Sequence, residues 1–304
     1  MTDGPSAAGA ASQRPSPSPA PAASTRPVVE ARGVGKVFGD GGAHVTALED
    51  IALTIGAGEF VSLIGPSGCG KSTLLRIIGD LTAPTRGTVE VNGKPAERAR
   101  RDRDYGMVFQ APILFDWRTV QGNVELPLEI SGASKAQRQQ RAMEHLRLVE
   151  LSDFAGHYPW QLSGGMQQRV AIARALAVDP ALLLMDEPFG ALDEMTRERM
   201  NLELLKIWER TETTIVFVTH SIAEAVFLST RVVVMSPRPG RISSIIDIDL
   251  PRERNVETRE LEQYFHLVTA VREALRGDER SGGSPDEDGD DIAARRVAAE
   301  GLSG

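Results

Sequence analysis

Cysteine is almost missing from this chain. Cys69 is the only one in 304 residues, so no disulfide can close within the chain and a reducing compartment is expected. Aromatic residues are also scarce at 5%, so with 41% hydrophobic residues the expected core is large and mostly aliphatic. No stretch approaches the roughly 18 apolar residues of a membrane-crossing helix, and the N-terminus lacks the basic-then-apolar order of a secretory signal. A soluble, cytoplasmic chain is expected, reaching a membrane only through a partner. Basic residues are nowhere concentrated on one face, which argues against a nucleic-acid partner. The acidity is itself local. Seven acids against Arg280 between Asp278 and Asp291 account for −6 of the formal −8, leaving about −2 for the rest.

What is present divides the chain into four parts. Residues 1–26 are Pro, Ala, Ser and Gly with almost no large side chains to bury, and are predicted to be a disordered leader. Residues 27–250 carry β-like and helical stretches punctuated by turns. Within them, residues from about 111 to 178 read as a helical block, with Val120 to Ile130 and Ser134 to Leu151 as helices and Ser134 as an N-cap. Val45 to Ile55 alternates well enough for one or two strands, and Ala96 to Asp104 is charged and expected to be exposed. Residues 251–277 contain Leu261, Tyr264, Val268, Val271 and Leu275, a 3-4-3-4 spacing that predicts one amphipathic helix. Residues 278–304 are an acidic, Gly/Ser-rich tail, with a short helix conceivable from Ile292 to Glu300.

The chemistry begins at Gly65-Pro66-Ser67-Gly68-Cys69-Gly70-Lys71-Ser72-Thr73, which fits the phosphate-binding loop G-x-x-x-x-G-K-[ST]. An apolar strand, Phe60 to Ile64, precedes it and a helical run follows, the context this loop requires. Its glycines let backbone N–H groups turn inward around an anion, and the new helix points its unpaired N–H groups at the same place. Lys71 supplies charge for the outer phosphates, Ser72 a hydroxyl for Mg²⁺, and Cys69 a variable position with a steric role.

Four other stretches carry polar groups at the ends of apolar runs. Tyr105 to Phe109 reads as a buried strand ending on Gln110. Leu162-Ser163-Gly164-Gly165-Met166 opens a helix and offers a second anion site, although alone it reads as an ordinary serine N-cap followed by flexible glycines. Ala181 to Met185 ends in Asp186-Glu187, the Walker B arrangement, in which the first acid serves Mg²⁺ and the second an attacking water. Thr214 to Thr219 ends on His220. In parallel sheets, ligand groups gather beyond the carboxyl ends of strands. Phe38, before a Gly-rich turn, is either a stacking surface for a flat base or a partly buried hydrophobe. Its residue type alone favours burial. Phe115 and Trp117, on a loop, offer a docking surface for another protein or pack on their own domain.

Phosphate loop, Gln110, Leu-Ser-Gly-Gly, apolar strand with Asp186-Glu187, and His220, in that order, closely resemble the nucleotide-binding subunit of an ATP-binding cassette (ABC) transporter. The resemblance covers roughly residues 27–250. It implies an α/β, phosphate-loop NTPase fold of the ABC type, with a mixed sheet core, an antiparallel β subdomain and a helical subdomain. It implies ATP and Mg²⁺ as ligands and a transport-coupled ATP hydrolase as the activity. Residue by residue, it makes Phe38 the adenine-stacking aromatic, reversing the reading from residue type. Gln110 becomes the group that reaches Mg²⁺ and the attacking water, Asp186 a Mg²⁺ group, Glu187 the catalytic base and His220 the switch histidine at the γ-phosphate. Ser163, Gly164 and Gly165 match the signature, with Met166 where glutamine is usual. Asp193 matches the loop that crosses between subunits.

The implied working unit is a homodimer with two ATP molecules at its interface. It would be peripheral on the cytoplasmic face of the membrane, joined to permease subunits and served by a separate solute-binding protein. Trp117 to Val120, Leu-Ser-Gly-Gly-Met and Met235 to Ile242 are similar to the importer branch for nitrate, sulfonates and taurine. A soluble ABC ATPase acting on DNA or ribosomes is the alternative. No sustained heptads between Lys71 and Ser163, and a single cassette, count against it.

Overall fold

The computed structural model describes residues 27–39 and 44–281. The predicted leader, most of the turn after Phe38, the acidic tail beyond Ser281 and the short helix from Ile292 lie outside the described residues.

Among the described residues, two sheets form. The smaller is antiparallel and built on β1 (Val29–Phe38), which pairs with β2 (Val45–Ile55) from Val29↔Ile55 to Phe38↔Val45. Val45–Ile55 is thus one strand rather than two, and its register slips at bulges opposite Ala31 to Val37. β3 (Phe60–Ile64) and α1 (Lys71–Ile78) come next. β4 (Arg86–Val91) then pairs with the other edge of β1 and turns at Asn92-Gly93 into the short β5 (Lys94–Pro95). Both turn residues have positive φ, 52° and 69°, as a type I′ hairpin requires. The charged stretch that follows forms α2 (Ala96–Asp102), which Ala99 anchors with its fully buried methyl.

The larger sheet has the order β10-β9-β3-β8-β7-β6. β6 (Tyr105–Val108), β7 (Leu182–Asp186), β8 (Thr214–Val218), β3 and β9 (Arg231–Met235) run parallel, and β10 (Ile242–Asp247) closes one edge antiparallel. Strands buried on both faces read as continuous apolar runs, and the period of two then divides each run between two cores. Phe60, Met185, Phe217 and Val234 pack on the side of the helical block. Val61, Leu184, Val216 and Val233 pack on the side of α1 and the antiparallel sheet.

The helical block comprises α3 (Val120–Ile130), α4 (Lys135–Leu148) and α5 (Gly164–Leu176). Ser134 starts α4 with a capping box to Gln137, and Ala142 and Leu146 supply its buried stripe. α6 (Glu194–Thr211) and α7 (Ile222–Leu228) connect the later strands. α8 (Glu262–Ser281) packs against α7, β9 and β10, with Tyr264 Oη donating to the Ala223 carbonyl at 3.1 Å. It runs past Gly277, where the sequence reading ended it.

Candidate functional site

Strand order builds the site. β8 enters the sheet between β3 and β7, so the carboxyl ends of β3, β8, β7 and β6 stand side by side. Their register is close: Leu63 and Asp186 both pair with Val218. The chain leaves these ends as the phosphate loop, His220, Asp186-Glu187 and Gln110.

Gly68 and Gly70 hold φ of 76° and 106°, the left-handed region that side chains resist, and so wrap the loop around a hollow. Gly70 caps α1 without a side-chain hydrogen bond, leaving the first-turn N–H groups facing the loop. Lys71 is only 6% exposed, and its ammonium donates to the Gly65 carbonyl at 2.8 Å and the Pro66 carbonyl at 3.1 Å. Cys69 is buried beneath the loop, and burial pushes its thiol pKa up. The loop opens into a cleft of about 320 Å³. Ser67, Gly68, Gly70, Lys71, Ser72 and Thr73 form its floor, Phe38, Val45 and Ala47 one wall, and Glu187, His220 and Arg238 its rim. Phe38 is 44% exposed, with the Lys36 ammonium 4.9 Å from its ring centroid.

Two pairs face this cleft. Ser72 Oγ donates to Asp186 Oδ1 at 2.6 Å, with Asp186 almost buried at the end of β7. Glu187 Oε2 lies 3.5 Å from His220 Nδ1. Glu187 has φ 47°, a costly conformation for a non-glycine residue. Its N–H donates to the Val218 carbonyl at 3.0 Å, which ties the strained turn to β8. Gln110 is exposed, and its amide lies close to Gly190 beside the Glu187 carboxylate, outside the lining of the cleft. Below His220, Thr219 Oγ1 donates to Glu224 Oε2 at 2.6 Å. Burial raises the Glu224 pKa, opposed by the Thr219 hydroxyl and by the charge of Arg197, whose Nε is 3.9 Å from Oε1.

Ser163, Gly164, Gly165 and Asp193 lie apart from the cleft. Ser163 caps α5, accepting from Met166 N at 3.4 Å, and both glycines belong to the first helical turn rather than to a flexible approach. Ser163 and Gly164 are exposed. Asp193 caps α6, accepting from Thr196 N at 3.0 Å, a bond that lowers its pKa. The signature glycines sit next to this turn: a methyl group on Gly165 would touch Thr196, and one on Gly164 would touch Leu192. Trp117 is 74% exposed and packs on Phe115, whose backbone N–H is held by buried Asn123 at 2.7 Å. The sequence reading missed Arg238, Val45 and Ala47 as cleft residues, and Glu224 and Arg197 beneath the histidine. Only the Pro-flanked arginine carried any signal in the sequence.

A phosphate loop and a carboxylate-tipped strand one strand removed from it on a mixed sheet define a nucleotide-hydrolase cassette. The family model for ABC transporters matches residues 48–190. The taurine import ATP-binding protein TauB of Rhizobium johnstonii is 46% identical over 244 residues, 78% of this chain and 92% of that protein. The nitrate import ATP-binding protein NrtD of Synechocystis sp. is 45% identical over 257 residues, 83% and 96% of the two chains. A solved dimer of an ATP-binding cassette, in a post-hydrolysis state with ADP and Pi, matches with TM-score 0.63 and 39% identity, covering 72% of this chain and 98% of that one. The chain belongs to the ATP-binding subunits of ABC transporters, ATP hydrolases coupled to transport. No helix among the described residues is long and apolar enough to cross a membrane.

Proposed function

We propose that this chain powers an importer for a small solute of the nitrate, sulfonate or taurine type, working as a homodimer against permease subunits at the cytoplasmic face of the membrane. A separate solute-binding protein would set selectivity. The observation that carries the nucleotide chemistry is the convergence of Lys71, Ser72 (bonded behind the cleft to Asp186) and the Glu187–His220 pair on one cleft.

In this reading the adenine stacks on Phe38, and the N–H groups of Gly65 to Thr73 cradle the phosphates. Lys71 has three N–H donors: two go to the Gly65 and Pro66 carbonyls and the third to Cys69 Sγ at 3.9 Å, a weak acceptor that a phosphate oxygen would displace. A hydroxyl beside a nearly buried carboxylate is a hard-oxygen pair that fits Mg²⁺. When bound, Mg²⁺ neutralises charge on the β- and γ-phosphate oxygens. Glu187 accepts a proton from the attacking water, and His220 holds the γ-phosphate within reach of that carboxylate. Gln110, next to Glu187, orients the water. Ser163 and Gly164, exposed and outside the lining of this cleft, close the cleft of a second copy with Gly165 buried beneath them, and Asp193 beside them faces the crossing point.

The test is Glu187→Gln. ATP binding should persist, turnover should fall by about 10²- to 10⁴-fold, and a dimer should accumulate with ATP. Full turnover in that variant would remove Glu187 as the base. Expression with a cognate permease tests the transport half, which fails if ATPase activity persists and the permease never co-purifies.

A further inference from the structure

We propose that Arg238 is a second cationic contact for the nucleotide, held against the outer side of the phosphate loop by the β9–β10 connection. This rests on the nucleotide-binding reading above and names a residue that reading does not use.

The connection, Ser236 to Arg241, is fastened to the neighbouring sheet. Gly240 N donates to the Ala47 carbonyl at 3.0 Å, and the Gly240 carbonyl accepts from Glu49 N at 2.9 Å. Arg241 pairs with Glu49 at 2.8 Å, and Arg241 N donates to Ser236 Oγ at 3.1 Å. The strap also presses on the loop itself, since a Cβ on Gly240 would stand 1.9 Å from the Cys69 carbonyl oxygen. Arg238 is therefore carried on backbone that is fixed relative to the phosphate site.

Its guanidinium lies over Gly68. Nη2 and Nε donate to the Gly68 carbonyl at 3.1 and 3.3 Å, the only acceptor these nitrogens have among the described residues. A guanidinium has five N–H donors in a planar fork suited to phosphate oxygens, and it keeps its charge at every working pH. Binding one carbonyl edge-on orients the fork and leaves donors on the other side. Arg238 lines the same cleft as Lys71 and Phe38. Lys71 is buried on the inner side of the loop and Arg238 is exposed on the outer side, so an anion held by the loop has a cation on each flank.

The test uses the full chain with Mg²⁺ and MANT-ATP or MANT-ADP, titrated by fluorescence. Arg238→Gln keeps an amide able to donate to the Gly68 carbonyl but removes the charge. It should weaken both nucleotides on the order of tenfold, and Arg238→Lys should recover most of that loss. The variants should melt with the wild type, because the side chain is exposed. Affinity in the wild type should also fall more steeply with added salt than in Arg238→Gln, since one ionic contact is missing from the variant. Wild-type affinity in Arg238→Gln, equal losses in Gln and Lys, or equal salt slopes would each show that Arg238 only buttresses the loop and overturn the inference. Wild-type protein that binds no MANT-ATP would instead sink the proposed function.

Discussion

Gly240→Ala should disable the nucleotide site from outside the phosphate loop. The added Cβ would lie 1.9 Å from the Cys69 carbonyl oxygen and 3.2 Å from the Ala47 carbonyl oxygen. Carbon–oxygen contacts under 3.0 Å do not persist, so strap and loop must separate by at least about 1 Å. Both neighbours are backbone, and no flexible side chain can yield. Either the strap retreats and loses its bonds to Ala47 and Glu49, or the loop shifts at Cys69, two residues before Lys71. Overpacking of this kind costs about 1–3 kcal/mol, which for a domain of this size lowers Tm by roughly 2–12 °C at about 2–4 °C per kcal/mol. A displacement of about 1 Å at a positioned reacting group can cost on the order of 100-fold in turnover. Gly156→Ala is the control, because nothing stands within 4 Å of a Cβ there, and its effect should stay within about 0.5 kcal/mol. Thermal melts and steady-state ATPase assays of the two variants suffice. If Gly240→Ala melts and turns over like Gly156→Ala, strap and loop do not touch as described.

Burial raises the Glu224 pKa above its unfolded value, so its contribution to stability is present below the unfolded pKa and is lost as pH rises through the folded one. The groups facing it are the Thr219 hydroxyl, the Asn201 side chain, Arg197 and, through charge alone, His220. Glu224→Gln keeps an acceptor for Thr219 and removes the titration, so the Tm of the variant relative to wild type should rise between pH 4 and pH 8. A constant difference would show that Glu224 has the same pKa in the native fold and in the unfolded chain. Asp193→Ala removes the cap of α6 and should lower the Tm, whereas Asp193→Asn should keep most of the stability. Turnover that falls in Asp193→Asn at unchanged Tm would support its place at the dimer crossing, and equal loss of both would reduce it to a helix cap.

Much of the fold was legible because the physics involved is local. Five-residue apolar runs bounded by polar or glycine-rich turns are too short for helices and match strands buried on both faces. Asn92-Gly93 demanded a hairpin, and Ser134 and the 3-4-3-4 run from Leu261 announced helices. Less was legible where a tertiary contact decides the outcome. Ala96 to Asp104 reads as charged and exposed and is mostly so, but its first seven residues form a helix that Ala99 anchors in the core. Leu162 to Met166 reads as opening a helix, which leaves open whether Gly164 and Gly165 are a flexible approach or its first turn, and the Ser163 cap makes them the first turn. The helix at the C-terminus passes Gly277 because α7, β9 and β10 hold its preceding turns.

The sequence by itself determined which groups this protein has for nucleotide chemistry. A phosphate loop needs its glycines and its lysine at fixed spacing, and an acid pair needs a buried strand beneath it, so residue order alone identifies both. Only the tertiary structure decided which groups meet. The insertion of β8 between β3 and β7 is a non-local pairing that no run of residues encodes, and it sets His220 beside Glu187. The same geometry draws the β9–β10 strap over the phosphate loop and puts Arg238 at the cleft. It leaves Ser163 and Gly164 exposed and outside that cleft, because they cap and open a helix of the helical block rather than leave a strand end of the sheet.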